Sequence, residues 1–527
     1  MLEGLTFAAL LVGAVLLDGL VRPRPGPVFR LSGRSMAGLW LASWLMIALF
    51  GLFLALCGNF PLSAGLALAL LALLVLASNA KHAMLGEPLL FSDLALIGAI
   101  FRHPQFYLSA ISVGQRTAAG VVTIILVAML AWLFVPEWQA HLAGMLVLLG
   151  SLAILAATMR SAPFRDIAAT PDAHADVRRH DFLPTLLLYW LRWRESADPP
   201  PCPDIDRHPA SALLATPELL LVVQCESFAD PADLFDGPDI RLPGLSGARE
   251  KAWQWGQLEV SGFGAYTMRT EYGVLFGRSE DALGFRRYDP FLTALGEASY
   301  ALPARLKAAG WQSLFVHPHD MRFYGRDRIM PAGGFADLVG EEHFAPVAAG
   351  SGRYVTDAAL AEKIASLARE AVEPSLIYTV TIENHGPWAP DMPSGGDLVQ
   401  SYLRLVRNSD AMLTTLLDQL AVLQRPALLV FFGDHRPSIP GATAPGGERH
   451  TPYVMMRLDG SGAIVRGDNR RVDLTPAGLH HAMLDIVLGT PAATLRADTA
   501  IHPAEQAPAA AFPATVAAAS GQTSGAG

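Results

Sequence analysis

The chain has 527 residues, too many for one ordinary domain, so two or more structural units are expected. Hydrophobic residues make up 52% and charged residues 17%, with a mean hydropathy of +0.32, which argues against a purely soluble enzyme. The formal net charge of −9 is not offset by any basic stretch, so no nucleic acid is expected as a partner.

The apolar excess sits in residues 1–160, in runs at about 5–21, 37–57, 62–78, 118–135 and 141–158. Each approaches the roughly 20 residues a helix needs to cross the hydrocarbon core. None keeps the polar face of a helix buried in a soluble protein. Residues 1–160 are therefore expected to form a five-helix transmembrane region. The first run lacks a basic start and carries Asp18 at its end, so it does not read as a cleaved signal peptide. Asp18 is almost the only ionisable group within the runs, where a transporter needs several. The short segments before run one, between runs two and three, and between runs four and five hold no Lys or Arg. The opposite side holds Arg22, Arg24, Arg30, Arg34, Lys81, Arg102, Arg116, Arg160 and Arg165. Counted alone, these cations place that side, and everything after run five, in the cytoplasm.

Residues 161–214 read as a connector rich in charge and proline, ending in Asp198-Pro-Pro-Pro-Cys-Pro. Within it, Phe182-Leu-Pro-Thr-Leu-Leu-Leu-Tyr-Trp-Leu-Arg-Trp is too short to span, and its aromatic and arginine content predicts an interfacial helix. Residues 215–500 have the composition of a globular domain. Apolar β-prone runs at Leu219–Gln224, Ser313–His317, Leu376–Thr381 and Ala427–Phe432 alternate with helical stretches such as Asp357–Glu370 and Val399–Leu423. That alternation predicts an α/β fold with a mostly parallel sheet. The tail 501–527 is Ala, Pro, Ser and Gly, a composition that predicts disorder. Cys57, Cys202 and Cys225 form neither a zinc spacing nor a disulfide framework.

Ligands in open α/β sheets bind at the carboxyl ends of strands, and four runs end there in polar residues. They read Gln-Cys-Glu226-Ser, Val-His317-Pro-His319-Asp320, Ile-Glu383-Asn384-His385-Gly-Pro-Trp388, and Gly-Asp434-His435-Arg436. A lone carboxylate after a strand is as readily a helix cap. Gly-Asp-His after a buried strand is more telling, because it offers adjacent oxygen and nitrogen ligands for zinc or manganese.

Glu-Ser-Phe, a Thr followed by Glu four residues on, His-x-x-x-x-x-Phe-Tyr-Gly-Arg-Asp, Asn-His-x-Pro and Gly-Asp-His occur in a fixed order. This order resembles the lipoteichoic acid synthase and phosphoglycerol transferase family of the alkaline phosphatase and sulfatase superfamily. The stretch Glu87-Pro-Leu-Leu-Phe-Ser-Asp93-Leu after run three is similar to that family too. The resemblance implies a sulfatase-like catalytic domain outside the cytoplasm, anchored in a bacterial inner membrane. It implies Glu226, Asp434 and His435 as metal ligands, with Thr267 completing the shell as nucleophile and Thr270 as its rival. The implied metal is manganese, with magnesium or zinc as alternatives. His317, Tyr324, Arg326, His385 and His450 become candidates for binding substrate. The implied reaction moves phosphoglycerol from a phospholipid donor to a periplasmic or surface glycan through a phosphothreonine.

Other readings stay open. Phosphoethanolamine transfer uses the same threonine and metal, although its enzymes usually carry more cysteines. Sulfate-ester hydrolysis needs a modified Cys or Ser in a Cys-x-Pro-x-Arg setting, which Cys202 and Cys225 lack. A phosphodiesterase and a non-catalytic membrane scaffold complete the set.

Overall fold

The computed structural model describes residues 2–23, 34–94, 113–203, 216–235, 240–347, 352–388 and 397–489. Arg24, Arg30, Arg102 and the tail expected to be disordered lie outside the described residues.

Five helices occupy the five apolar runs: α1 (Leu2–Asp18), α2 (Met36–Cys57), α3 (Phe60–Leu85), α4 (Val113–Leu133) and α5 (Trp138–Arg160). Among the described residues, α2, α3 and α5 are long and apolar enough to cross a membrane. The chain reverses between α2 and α3 in two residues. Gly58 ends α2 in the left-handed region, at φ 66°, and the Asn59 side chain caps α3 by accepting from the Leu62 amide. Helices α2 and α5 touch through glycines: a Cβ on Gly144 would sit 2.2 Å from the Ala55 nitrogen, and one on Gly51 2.6 Å from that of Leu148. Leu52, Leu56, Leu73, Leu76, Leu146 and Leu149 remain exposed, as lipid-facing side chains do.

The connector contains α6 (Ala173–His180) and α7 (Phe182–Glu195), the latter at the segment expected to lie on the membrane. Its aromatic side is covered by protein instead. Tyr189 is fully buried and packs on Phe285 and Tyr288 at 5.0 and 5.6 Å, and Trp193 stacks on Phe91 at 5.5 Å. The helix wedges between the anchor and the globular domain, with Trp190 left exposed.

That domain is built on strands β1 (Leu219–Cys225), β2 (Gln254–Glu259), β3 (Gln312–Val316), β4 (Asp337–Val339), β5 (Ser375–Val380), β6 (Ala427–Gly433), β7 (His450–Leu458), β8 (Ile464–Val465) and β9 (Arg470–Arg471). The sheet order is β4-β3-β5-β1-β6-β7-β2-β9, with β8 beside β7. Strands β4 through β6 run parallel, while β7 is antiparallel to both β6 and β2. The four strands expected from the apolar runs form the parallel centre. Every residue of β1, β5 and β6 is buried, because helices cover both faces. On one face lie α8 (Thr267–Phe276) and α9 (Pro476–Leu488); on the other lie α10 (Asp357–Glu370) and α11 (Leu398–Leu423).

Candidate active site

The register of the central strands assembles the site. Cys225 at the end of β1 pairs with Gly433 at the end of β6, so Glu226 and Asp434 emerge side by side. Gly433 is required, since a Cβ there would lie 1.8 Å from the Phe228 carbonyl oxygen. The His435 Nε2 atom lies 3.4 Å from Glu226 Oε1 and 3.5 Å from Asp434 Oδ2. Asp434 Oδ1 accepts from the amides of Ser227 and His435, both at 2.8 Å. Its Oδ2 is buried with no hydrogen-bond partner. Burial, reinforced by the Glu226 charge, pushes the Asp434 carboxyl up to about 7. Burial would lower His435, but the two carboxylates overcome it and raise the imidazole. Two buried carboxylates, a histidine and an orphaned oxygen converging within 4.8 Å fit a divalent cation.

Thr267 opens α8, and its Oγ1 lies 3.3 Å from His435 Nε2, against the same cluster. Two local features aim it. Tyr266 takes a left-handed φ of 75°, and Gly264 passes so close to Ser438 that a Cβ would stand 2.2 Å from that of the serine. The amino end of the ten-residue helix favours negative charge at Thr267. The rival Thr270 has its hydroxyl committed elsewhere, donating to the Asp434 carbonyl at 2.7 Å.

Glu271 is fully buried one turn further on. Arg326, 1% exposed, donates to it from Nε at 3.0 Å and Nη2 at 2.6 Å. The fork expected to grip a phosphate thus braces α8, because a buried guanidinium needs a buried carboxylate as its counter-charge. Tyr324 sits beside it at φ 60°, its ring 5.3 Å from the guanidinium carbon.

His317 follows β3 and is 2% exposed, with Nδ1 3.0 Å from the Val380 carbonyl. Burial, assisted by Arg326, holds it well below the usual imidazole range, so the ring is neutral. Its ring is 5.9 Å from that of His319, which also packs near Phe323 and Tyr354. His385 is half-buried, its ring 6.0 Å from Tyr354. Sequence reasoning missed Tyr354 and Arg353 on this wall; neither follows a strand, so no positional signal marked them. His450 opens β7, where its Nε2 lies 2.7 Å from Gln257 and 2.8 Å from Arg436 rather than against Glu226, Asp434 or His435. Asn384 and Trp388 shape their own loop: the indole donates to the Asn384 oxygen at 3.1 Å. Glu383 caps α10, accepting from the Asp357 amide at 2.7 Å.

The sulfatase family matches residues 218–484, from the residue before β1 into α9, and so takes in every site residue described above. The chain belongs to the sulfatase family. A capsular polysaccharide biosynthesis protein, RkpI of Rhizobium meliloti, is 30% identical over 77% of this chain and 79% of its own. Among solved structures, the lipooligosaccharide phosphoethanolamine transferase EptA of Neisseria meningitidis is 13% identical, with a TM-score of 0.54 over 92% of this chain and 94% of its own. The phosphoglycerol transferase GacH of Streptococcus pyogenes is 18% identical, with a TM-score of 0.42 over 54% of this chain and 77% of its own. The likeness to EptA, an integral membrane protein, extends over anchor and catalytic domain together. The sulfatase-like superfamily expected from the motifs, and the two-part fold expected from the apolar runs and the strand–helix alternation, are borne out.

Proposed function

We propose that this protein is a membrane-bound, metal-dependent phosphotransferase that moves phosphoglycerol from a phosphatidylglycerol-like lipid to an envelope glycan through Thr267. The observation that carries the reading is a threonine hydroxyl at a helix amino end, against Glu226, Asp434 and His435. A phospholipid donor fits the apolar helices that hold this domain at a membrane. A surface polysaccharide as acceptor fits the relative named for capsular polysaccharide biosynthesis. Phosphoglycerol is favoured over phosphoethanolamine by the motif resemblance and by three cysteines, all free.

Glu226, Asp434 and His435 would hold a divalent cation, which would supply Lewis acidity to the Thr267 hydroxyl and to the phosphoryl oxygens. Manganese is the cation the motif resemblance implies for this set, with magnesium or zinc as competitors. In the first half-reaction Thr267 Oγ bonds to the donor phosphorus, and the bond from phosphorus to the diacylglycerol oxygen breaks. That oxygen leaves with a proton. In the second, an acceptor hydroxyl attacks the same phosphorus and the Thr267 ester is released. His317 and His385 bind the phosphoryl group and move the protons, while Tyr324 closes over the glycerol and Arg326 keeps Thr267 in place through Glu271. His450 acts with Arg436 at the edge of the site.

The catalytic domain is placed outside the cytoplasm of a bacterial inner membrane, where an envelope acceptor is met. Two cations in the contrary count, Arg34 and Lys81, are ion-paired with Asp181 and Asp93, which gives them a structural use independent of topology. An alkaline phosphatase reporter at the carboxyl end should be active; a silent one overturns the orientation. For the reaction, vesicles holding the full chain, manganese and phosphatidylglycerol should accumulate diacylglycerol. Consumption of phosphatidylethanolamine instead moves the protein to the other transferase class, and no consumption of either lipid removes the reading.

A further inference from the structure

The anchor does more than hold the catalytic domain at the membrane. Just after α3, Glu87 reaches into that domain and takes Arg269 in a bidentate pair, Oε1 to Nη1 at 2.6 Å and Oε2 to Nη2 at 2.9 Å. The two side chains are 12% and 4% exposed. Arg269 stands two residues after Thr267, in the first turn of α8. Its Nε donates to the Tyr288 carbonyl at 3.2 Å, and its guanidinium lies 3.8 Å from the centre of the Tyr266 ring. Tyr266 is the left-handed residue that aims Thr267, and Lys81 at the end of α3 approaches the same ring at 5.5 Å. The anchor also meets the segment that follows Asp434-His435. Ser438 donates to the Met84 carbonyl at 3.3 Å, and Gly86 packs on Pro445 and Arg449. Arg449 in turn binds the Ser261 carbonyl at 2.5 Å, at the start of the glycine turn before Thr267.

Three neighbouring anchor residues, Met84, Gly86 and Glu87, thus touch between them both segments that must be aligned, the one carrying the nucleophile and the one leaving the metal ligands. We propose that Glu87 is a positioning residue supplied by the membrane anchor, which sets Thr267 against the metal cluster by fixing Arg269. This rests on the reading of Thr267 as nucleophile. Burial raises the Glu87 carboxyl, but Arg269, with Lys81 and Arg449, overcomes it and holds the group at about 2. The pair therefore stays intact at any working pH and acts as a fixed strut. The catalytic domain is competent only while docked on its anchor, which restricts transfer to the membrane surface.

The test uses the full chain in lipid nanodiscs with phosphatidylglycerol and manganese, reading diacylglycerol release per manganese-loaded molecule. Glu87→Gln keeps size and shape but loses the charge, and should lower kcat by about tenfold or more. The KM for lipid and the bound manganese should stay within about twofold, since no substrate or metal contact is removed. Glu87→Asp keeps the charge on a shorter arm and should fall between the two. Should Glu87→Gln not fold, Glu87→Asp decides alone: kcat lowered about threefold at unchanged KM supports the strut, and wild-type kcat overturns it. A rise in KM at constant kcat also overturns it, because that is a binding effect. Thr267→Ala separates the two ideas. If it turns over normally, the transferase reading falls and takes the strut with it. If it is dead while Glu87→Gln matches wild type, the strut alone falls.

Discussion

The anchor and the catalytic sheet solve the same problem, burial of apolar surface, against different surroundings. In the sheet, β1, β5 and β6 are buried along their whole length, and water is kept out by helices on both faces. In the anchor, α2, α3 and α5 leave most of their surface uncovered, and close packing is confined to narrow seams such as Gly51 and Gly144. Polar groups are distributed accordingly. The catalytic domain gathers them at the carboxyl ends of strands, while the anchor's ion pairs among the described residues lie at one end, where Asp18, Arg34, Lys81, Glu87 and Asp93 meet the rest of the chain. The lesson is that chemistry is built where main-chain ends converge, and that the anchor takes part only where it stops being a membrane helix.

The largest effect should come from breaking the catalytic side alone. Asp434→Ala removes a proposed cation ligand and the acceptor of two amide hydrogen bonds. Turnover should fall by about a thousandfold or more, with loss of bound metal. Membrane insertion should be untouched, because among the described residues the hydrogen bonds of Asp434 stay within the catalytic domain. Metal analysis and turnover on the same preparation check this, and full activity would sink the metal site.

The second test breaks the anchor alone. A valine at Gly144 drives its Cβ into the backbone of Ala55, so α2 and α5 must separate. Overpacking of this kind costs about 1–3 kcal/mol, more where backbone rather than a side chain must move. The detergent-extracted protein should melt several degrees lower. Metal binding at 25 °C should be unchanged, since the seam is remote from Glu226. If metal affinity fell with the melting temperature, the two regions would be one cooperative unit.

This comparison also explains what could be read in advance. Helices α2, α3 and α5 were legible because lipid imposes a continuous apolar length on each. The four central strands were legible because burial on both faces removes polar residues until the strand ends. Glu226, Asp434 and His435 stood out as polar residues ending such runs, and it was the family resemblance that implied them as one ligand set. Strands β2, β4, β8 and β9 were not read, because they are only two or three residues long or, like Gln254–Glu259, mix polar and apolar residues; β7 was not read although every residue of it after His450 is buried. The pairing of Glu87 with Arg269 spans 182 positions, and nothing local in either segment announces the other. Arg326 was given to substrate for the same reason: its partner Glu271 is 55 positions away, so its fork looked open.

The smallest expected effect lies beneath the sheet and sharpens the contrast, because it is an acid the catalytic domain buries without a counter-charge. Asp357 begins α10 at 1% exposure; Ser409 donates to its Oδ2 at 2.6 Å, while Oδ1 has no hydrogen-bond partner. Burial, with the Glu383 charge adding to it, pushes the carboxyl up from 3.8 to about 7. The folded state therefore holds this proton more tightly than the unfolded chain does. Its contribution is fully present below about pH 4 and is lost as pH rises through 7. Asp357→Asn keeps a partner for the Ser409 hydroxyl and removes the titration. The variant should match wild type near pH 4.5 and exceed it by roughly 1–3 kcal/mol at pH 8, where wild type must ionise a buried acid. Unfolding of both proteins at the two pH values reads the gap directly. A gap of equal size at both would mean that Asp357 is not protonated in the folded state.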